Sequence, residues 1–305
     1  MARRRRGLPV NGVLLLDKPG GLSSNQALQR VRHLFQARKA GHTGTLDPMA
    51  TGLLPVCFGE ATKFSAHLLE ADKVYRTRIV LGIVTDTGDA EGEVLERRDS
   101  PRLTEAQIEG VLEGFRGEID QVPPMVSALK HQGRRLYELA REGKTVARAA
   151  RRVTVYHARL LGMDEGCFDL EVRCSKGTYI RTLAEDIGQA LGCGAHISAL
   201  RRLKTGPFAD VGMLTLEALE ALPDQASRER CLLPVDILVD HLPGLYMDGA
   251  ATQGLLHGQP ATVDTGDLLP GETTRLYLDD TFLGLGKVTG PQEVAPRRLL
   301  NTATD

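Results

Sequence analysis

The sequence predicts an α+β fold divided into two units. Three observations support this prediction. Strand-like and helix-like segments both occur through the first 242 residues, an acidic segment with Pro223, Pro234 and Pro243 then predicts a linker, and short alternating segments separated by Gly and Pro follow. The last pattern is typical of a small β-barrel. We therefore predict a larger unit over residues 1–242 and a small β-rich unit over residues 243–305.

The first elements of the larger unit follow from hydrophobic spacing. Residues 11–17 contain a short apolar run that stops at a Lys-Pro-Gly-Gly turn, which predicts a buried strand. Ser23 and Gln26 have the spacing of a capping box, and apolar residues then recur at helical intervals, which predicts a helix. Charged and apolar residues alternate over residues 74–81, which predicts a strand with Tyr75 facing inward.

Two further helices are predicted downstream. Thr104 caps one, which carries apolar residues to Phe115 and is expected to end at Gly117. Residues 178–191 have an apolar stripe at helical spacing, and Arg181 lies off that stripe in the first turn. A helix N-terminus carries positive potential, which disfavours a cation there. Arg181 therefore either has an anionic partner or lies along its own helix surface, and spacing alone leaves both open.

The composition is that of a soluble globular protein. Of the 305 residues, 42% are hydrophobic and 25% are charged, and no apolar run is long enough to span a bilayer. The five cysteines are scattered without a Cys-x-x-Cys pair, and no His-x-x-x-His pair occurs, so neither a disulfide framework nor a metal site is predicted. Glu138 stands where a P-loop ending at Thr145 would need its first glycine. A cytoplasmic location is expected.

Charge is segregated along the chain although the net charge is only −1. Residues 1–63 carry ten Lys or Arg against three acidic residues, and residues 125–160 carry nine against two. The balance reverses over residues 86–120, with four against eleven, and over residues 210–248, with two against eight. Blocks of this kind indicate either one face that binds a polyanion or solvated surface helices.

The loop over residues 41–52 contains three glycines, a proline and a single carboxylate, Asp47. Glycine reaches backbone angles that other residues avoid and proline fixes one, so the loop is expected to hold Asp47 in a defined place. Two interpretations remain open. Asp47 followed by Pro48 matches a helix N-cap and first helical position. A catalytic carboxylate would instead need a cationic partner and an aromatic wall.

The chain carries an ordered set of short motifs: Asp17-Lys18-Pro19-Gly20-Gly21, the 41–52 loop, Lys73-Val74-Tyr75, Thr85-Asp86-Thr87-Gly88-Asp89, Gln121-Val122-Pro123-Pro124, Ser127-Ala128-Leu129-Lys130, residues 174–181 and Leu200-Arg201-Arg202. With these motifs the sequence resembles, over nearly its whole length, the bacterial tRNA pseudouridine-55 synthases of the TruB type. The resemblance implies a catalytic domain around a mixed, largely antiparallel sheet, followed by a PUA-like RNA-binding β-barrel.

The resemblance implies three catalytic residues. Asp47 matches the essential aspartate of the family, and Arg181 matches the arginine that pairs with it and would keep it ionised. Tyr75 matches the tyrosine that stacks on the target base and is placed to remove the proton from C5 after the base has turned.

Substrate-binding residues are implied in the same way. Tyr179 and Leu200 match residues that line the uracil pocket, and ordinary core packing is the alternative. His42 matches the histidine that fills the gap left by the flipped nucleotide. Lys18 and Lys63 lie at basic motif positions, which we assign to substrate binding through phosphate contact or to loop positioning.

The implied reaction isomerises one uridine in the T arm of transfer RNA. The N1–C1′ bond breaks, the detached uracil rotates, and C5 joins C1′, a sequence that needs no cofactor and no metal. Transfer RNA is the expected partner of a cytoplasmic monomer that requires no protein partner and no membrane. A tRNA-folding chaperone with incidental catalysis is the alternative, and a nucleoside hydrolase is disfavoured by the basic blocks.

Overall fold

The computed structural model describes residues 7–301, so the arginines at positions 3–6 of the first basic block lie outside the described residues. The strands are β1 Gly12–Lys18, β2 Ala40–His42, β3 Thr51–Phe58, β4 Lys73–Leu81, β5 Ile83–Thr85, β6 Val94–Arg97, β7 Gly117–Gln121, β8 Lys130–His131, β9 Arg134–Arg135, β10 Arg151–Asp164, β11 Cys167–Cys174, β12 Ala195–Thr205, β13 Phe208–Ala209, β14 Gly244–Met247, β15 Ala261–Thr262, β16 Thr273–Leu278, β17 Thr281–Gly290 and β18 Glu293–Leu299.

The α-helices are α1 Ser24–Leu34, α2 Ala66–Leu69, α3 Glu105–Glu113, α4 Leu136–Arg141, α5 Ile180–Ala190, α6 Leu216–Glu220, α7 Gln225–Glu229 and α8 Gly249–Leu256, and two 3₁₀ turns cover Gly59–Lys63 and Val235–Val239. Both predicted capping boxes form. Ser23 accepts from the Gln26 N–H at the start of α1, and Thr104 accepts from the Gln107 N–H at the start of α3.

A nine-stranded sheet organises the larger unit in the order β1-β3-β12-β4-β11-β10-β7, with β2 paired to β3 and β13 paired to β12. β3 and β12 run parallel, and the other pairs described in this sheet are antiparallel. The α+β class with a mixed, largely antiparallel sheet is therefore confirmed. Its main core joins one face of the sheet to α1, α3 and α5.

Two sequence expectations about boundaries are wrong. α3 ends at Glu113, and Gly117 with φ +93° opens β7 instead of ending the helix. The acidic segment before residue 243 is not a linker, because it folds into α6, α7 and a 3₁₀ turn that bury Leu216, Leu219 and Leu238 against the larger unit. Burial of these apolar side chains outweighs the local signals of proline and charge.

The C-terminal residues form a five-stranded sheet in the order β14-β16-β17-β18-β15, in agreement with the predicted small β unit and with a PUA-like module. A separate core lies between this sheet and α8 and contains Leu245, Leu276 and Val294. Leu285 and Phe282 of β17 instead join a cluster with Val13 and Leu53 of the large sheet. The two sheets therefore share an apolar contact.

Candidate active site

A cavity of about 270 Å³ lies where the 41–52 loop meets β4, β12 and the start of α5. Five of the residues predicted for the site line it: Asp47, Tyr75, Tyr179, Arg181 and Leu200. A larger cleft of about 870 Å³ also reaches Asp47, and His42 lines that cleft together with Arg135 and Arg141. Asp47 thus stands between a small enclosed space and a wider basic groove.

The loop that carries Asp47 is held by residues from several elements. No helix follows Asp47, so its interpretation as a helix cap is wrong; its C=O instead accepts from the Ala50 N–H at 3.1 Å. The buried Ser24 hydroxyl donates to the Leu46 C=O at 2.9 Å and accepts from the Leu46 N–H at 2.8 Å. The residue before Asp47 is therefore fixed to the first turn of α1.

Arg181 forms a two-point ion pair with Asp47. Its Nε lies 2.9 Å from Oδ2, and its Nη2 lies 3.2 Å from Oδ1. The guanidinium also donates to the C=O groups of Thr87 at 2.8 Å and Val126 at 2.7 Å, and Nε lies 3.8 Å from the buried Asp89 carboxylate. Its side chain is only 3% exposed, so the alternative in which it lies along a solvated helix surface is wrong.

The ionisation of Asp47 reflects two opposing effects. Withdrawal of the carboxyl from water raises its pKa above the ordinary value, and the Arg181 guanidinium opposes that rise through its charge and hydrogen bond. Asp89 adds to the rise because it is a second negative group nearby. Arg181 therefore favours the carboxylate, as expected, but does not bring the pKa below that of a free aspartate.

Tyr75 lies on β4 with its ring at the cavity wall. Thr77, Ile79 and Leu81 on the same face of the strand are buried, in agreement with the predicted inward face. Burial raises the pKa of the Tyr75 hydroxyl above its ordinary value, and the positive charge of Arg202 opposes that rise only in part. The ring thus lies at the cavity wall, near a buried cation.

Tyr179 is held in place by Gln121, a residue to which sequence reasoning assigned no role. The Gln121 amide donates to the Tyr179 C=O at 3.0 Å and accepts from the Tyr179 N–H at 2.7 Å. Tyr179 is the N-cap of α5, so this pair fixes the point from which Arg181 projects. Gln121 lies in the Gln-Val-Pro-Pro motif, which was the available signal, but its partner is 58 residues away.

His42 ends β2 and faces the cleft beside Asp47. Its Nδ1 is buried without a hydrogen-bond partner among the described residues. Burial lowers its pKa, and the positive charges of Arg202 and Arg135 lower it further. A neutral imidazole at the mouth of the cavity can pack against a base without bringing another cation into the site.

Lys18 fits loop positioning, one of its two expected roles, whereas its ammonium is not placed for a phosphate contact. The residue is 0% exposed, and its Nζ donates to the C=O groups of Pro19 at 2.8 Å, Leu22 at 2.6 Å and Pro48 at 3.1 Å. Burial lowers its pKa to about 8. All three donors of the ammonium are used, so Lys18 ties the turn after β1 to the residue that follows Asp47.

Lys63 contacts the C-terminal sheet. Its Nζ donates to the Leu299 C=O at 2.9 Å and to Asn301 Oδ1 at 3.1 Å, and it pairs with Glu60 at 2.6 Å. These partners join the larger unit to the end of β18, through residues up to 238 positions apart. Its expected role in loop positioning or phosphate contact stays a prediction.

Neither a metal site nor a membrane span is found in the part of the chain that the structure describes. No group of three or more His, Cys, Asp or Glu side chains is placed to hold a metal ion there. The helices within residues 7–301 are all too short or too polar to cross a bilayer.

Comparison with known proteins accounts for this arrangement. The TruB family pseudouridylate synthase N-terminal domain matches residues 32–180, the tRNA pseudouridylate synthase B C-terminal domain matches 181–240, and a pseudouridine synthase II TruB C-terminal model matches 243–300. The tRNA pseudouridine synthase B of Chromohalobacter salexigens is 68% identical, with 100% of this chain and 99% of that protein covered. The chain belongs to the TruB family of pseudouridylate synthases.

Further relatives are similar over their whole length. The tRNA pseudouridine synthase B of Pseudomonas aeruginosa is 51% identical, with 96% of this chain and 97% of that protein covered. Among solved structures, a chain of a Cbf5-Nop10-Gar1 complex has a TM-score of 0.71 at 27% identity, covering 98% of this chain and 91% of that one. A chain of an H/ACA RNP bound to a substrate RNA has a TM-score of 0.70 at 26% identity, with coverages of 98% and 91%. The structural similarity of this TruB chain to these proteins therefore covers its C-terminal sheet as well as its large sheet.

Proposed function

We propose that this chain converts the uridine at position 55, in the T arm of transfer RNA, to pseudouridine. The observation that carries the proposal is the Asp47 carboxylate, held by two contacts from the buried Arg181 at the wall of a cavity lined by Tyr75 and Tyr179. The names of its bacterial relatives support transfer RNA as the substrate. The T arm and the position follow from the motifs shared with the family.

Catalysis starts with a flipped nucleotide. Uracil C5 cannot reach C1′ while the base is stacked, and extrusion costs a few kcal/mol. Stacking of the base on Tyr75 returns about 1–3 kcal/mol, and His42 fills the gap in the RNA. Because Asp47 lies between the cleft and the cavity, a nucleotide bound in the groove can place its sugar at the carboxylate and its base against Tyr75 and Leu200.

The reaction then needs one carboxylate and one base. With Asp47 acting at the nucleotide, the N1–C1′ bond breaks and the uracil turns within the cavity. C5 then joins C1′ and Tyr75 removes the C5 proton, so that the electron pair of that C–H bond restores the C5=C6 double bond while N1 takes up a proton from water. Arg181 keeps Asp47 oriented and favours its ionised form.

Affinity comes from the basic groove around the cavity. Arg135 and Arg141 line the cleft that reaches Asp47, and phosphate contacts of this kind supply most of the sequence-independent binding energy. We propose that the chain acts as a cytoplasmic monomer without a protein partner. We also propose a unit boundary between residues 242 and 243, supported by the family match that begins at 243 and by a small core that starts at Leu245.

Tritium release from a T-arm RNA that carries 5-tritiated uridine tests the proposal. C5 loses its hydrogen only if the new C5–C1′ bond forms. We expect release by the parent chain and none by Asp47→Asn, with RNA affinity retained by both. Tight binding by both without release from either would contradict the proposal and favour a tRNA-folding chaperone. Release of free uracil would instead indicate a hydrolase.

A further inference from the structure

Arg202 is a buried cation at the cavity to which no role has been assigned. The residue is 1% exposed, and its Nε donates to the Leu53 C=O at 2.7 Å while Nη2 donates to the Gly44 C=O at 3.2 Å. Within residues 7–301, no carboxylate lies within 4.0 Å of its guanidinium. A buried guanidinium without an anionic partner destabilises a fold unless another group interacts with its charge.

The sheet places Arg202 beside Tyr75. The two residues are direct partners in the antiparallel register of β12 and β4, so their side chains lie on the same face of the sheet. Both line the same cavity. The positive charge of Arg202 opposes the rise that burial causes in the pKa of the Tyr75 hydroxyl, but only in part, because that pKa stays above its ordinary value.

The neighbouring arginines, Arg181 and Arg201, make different contacts. Arg181 gives two contacts to Asp47 and two to backbone carbonyls. Arg201 projects from the opposite face of β12, where it pairs with Asp17 at 2.8 Å. Arg202 therefore differs from both, because no described carboxylate pairs with it and its neighbour across the strands is the tyrosine to which the proton transfer is assigned.

We propose that Arg202 is a positioning residue for the last proton transfer: its charge, placed next to Tyr75 across the two strands, favours the phenolate that accepts the C5 proton. A guanidinium cation stabilises a neighbouring oxyanion more than a neutral hydroxyl. The C5–H bond breaks, its electrons restore the C5=C6 double bond, N1 takes up a proton from water, and Tyr75 becomes a neutral phenol that returns its proton to water. This inference rests on the proposed function and on the role of Tyr75 within it.

Single-turnover rates on T-arm RNA with 5-protiated or 5-deuterated uridine test the proposal. The variants are R202M, which replaces the cation by an unbranched apolar side chain, and R202K. R201M serves as the matched control from the other face of β12. We expect R202M to be about 10- to 100-fold slower, the effect of a neighbouring charge that shifts a pKa by about one to two units. We also expect its deuterium isotope effect to exceed that of the parent, because C5 deprotonation becomes slower. R201M should show the parental isotope effect.

R202K adds a measurement that a purely structural role would not affect. Arginine stays charged at all relevant pH values, whereas burial lowers the pKa of lysine, as for Lys18 and Lys73, whose pKa values are about 8. The R202K rate should therefore fall, relative to the parent, as the pH rises through that range. This profile also tests the proposal if R202M fails to fold.

The outcomes separate the two proposals. A parent chain that forms no pseudouridine would contradict the proposed function itself. An active parent would leave that function intact and contradict only the role of Arg202 if R202M kept the parental rate, if it slowed without any change in isotope effect, or if the R202K profile followed that of the parent.

Discussion

Gln121→Ala removes the link between β7 and the start of α5. The Gln121 amide makes two hydrogen bonds to the backbone of Tyr179, and the residue is only 2% exposed. After truncation, the Tyr179 C=O still accepts from the Leu183 N–H at 3.0 Å. The Tyr179 N–H has no other acceptor among the described residues. One donor therefore loses its partner completely and one acceptor keeps a partner.

This asymmetry sets the expected loss in the free energy of unfolding. An orphaned buried donor costs about 1–3 kcal/mol, and loss of the second bond costs about 1 kcal/mol, which together predict a loss of about 2–4 kcal/mol in the free energy of unfolding. Urea unfolding of the two chains measures it. Gln225→Ala is the matched control, because that glutamine also donates to a backbone carbonyl, at 3.0 Å, but lies away from the cavity. Its expected loss is about 1 kcal/mol.

Activity should fall as well, because Arg181 lies two residues after Tyr179. A displacement of about 1 Å in a catalytic group can lower a rate about 100-fold, so we expect a single-turnover rate 10- to 100-fold below the parent. Gln121→Glu keeps the side-chain volume but places a carboxylate oxygen against the Tyr179 C=O. We expect this variant also to lower both the single-turnover rate and the free energy of unfolding. If both variants kept the parental rate and unfolding free energy within about 0.5 kcal/mol, the reasoning would be refuted.

Three further expectations follow from the site. Burial raises the pKa of Asp47, so its carboxyl contributes stability that is present below the ordinary value of 3.8 and is lost as the pH rises through the raised pKa. The unfolding free energy of Asp47→Asn relative to the parent should therefore increase with pH across that window, and a pH-independent difference in urea titrations would contradict this. Lys63→Met should weaken docking of the C-terminal sheet by about 1.5–3 kcal/mol, seen as faster proteolysis near residue 243 with unchanged cleavage elsewhere; equal digestion patterns would count against it. RNA affinity should fall with salt at a log–log slope of about −0.9 per phosphate contact on a duplex, and Arg135→Gln should reduce the slope by about one contact whereas Lys18→Met should not; a salt-independent affinity would exclude phosphate anchoring.

Local signals were sufficient for much of the fold. The capping boxes at Ser23 and Thr104 were predictable because each joins residues three positions apart. The inward face of β4 followed from alternation along a single strand. Each of these features depends only on residues that lie close together in the sequence, so a local pattern is enough to predict it.

The partners of the site residues depend on contacts that no local pattern contains. Both lysines lie in basic motifs, yet Lys18 donates to carbonyls up to 30 residues away and Lys63 to one that is 236 residues away. The pairing of Arg202 with Tyr75 requires the register of β12 against β4. Resemblance to a family predicted the pairing of Asp47 with Arg181, whereas the position of Arg202 next to Tyr75 became visible only in the folded sheet.

The cations around the cavity share one property that bears on its chemistry. Lys18, Lys73 and Arg202 are buried and donate mainly to backbone carbonyls, whereas Arg181 pairs with a carboxylate. Carbonyl dipoles hold a cation in place without cancelling its net charge. These charges therefore oppose the burial penalty on nearby anions. The lowered pKa of His42, to which the charge of Arg202 contributes, agrees with such a potential. Burial nevertheless outweighs the cations at Asp47 and Tyr75, whose pKa values both lie above the ordinary ones, so the anionic states that the proposed reaction requires form against that penalty.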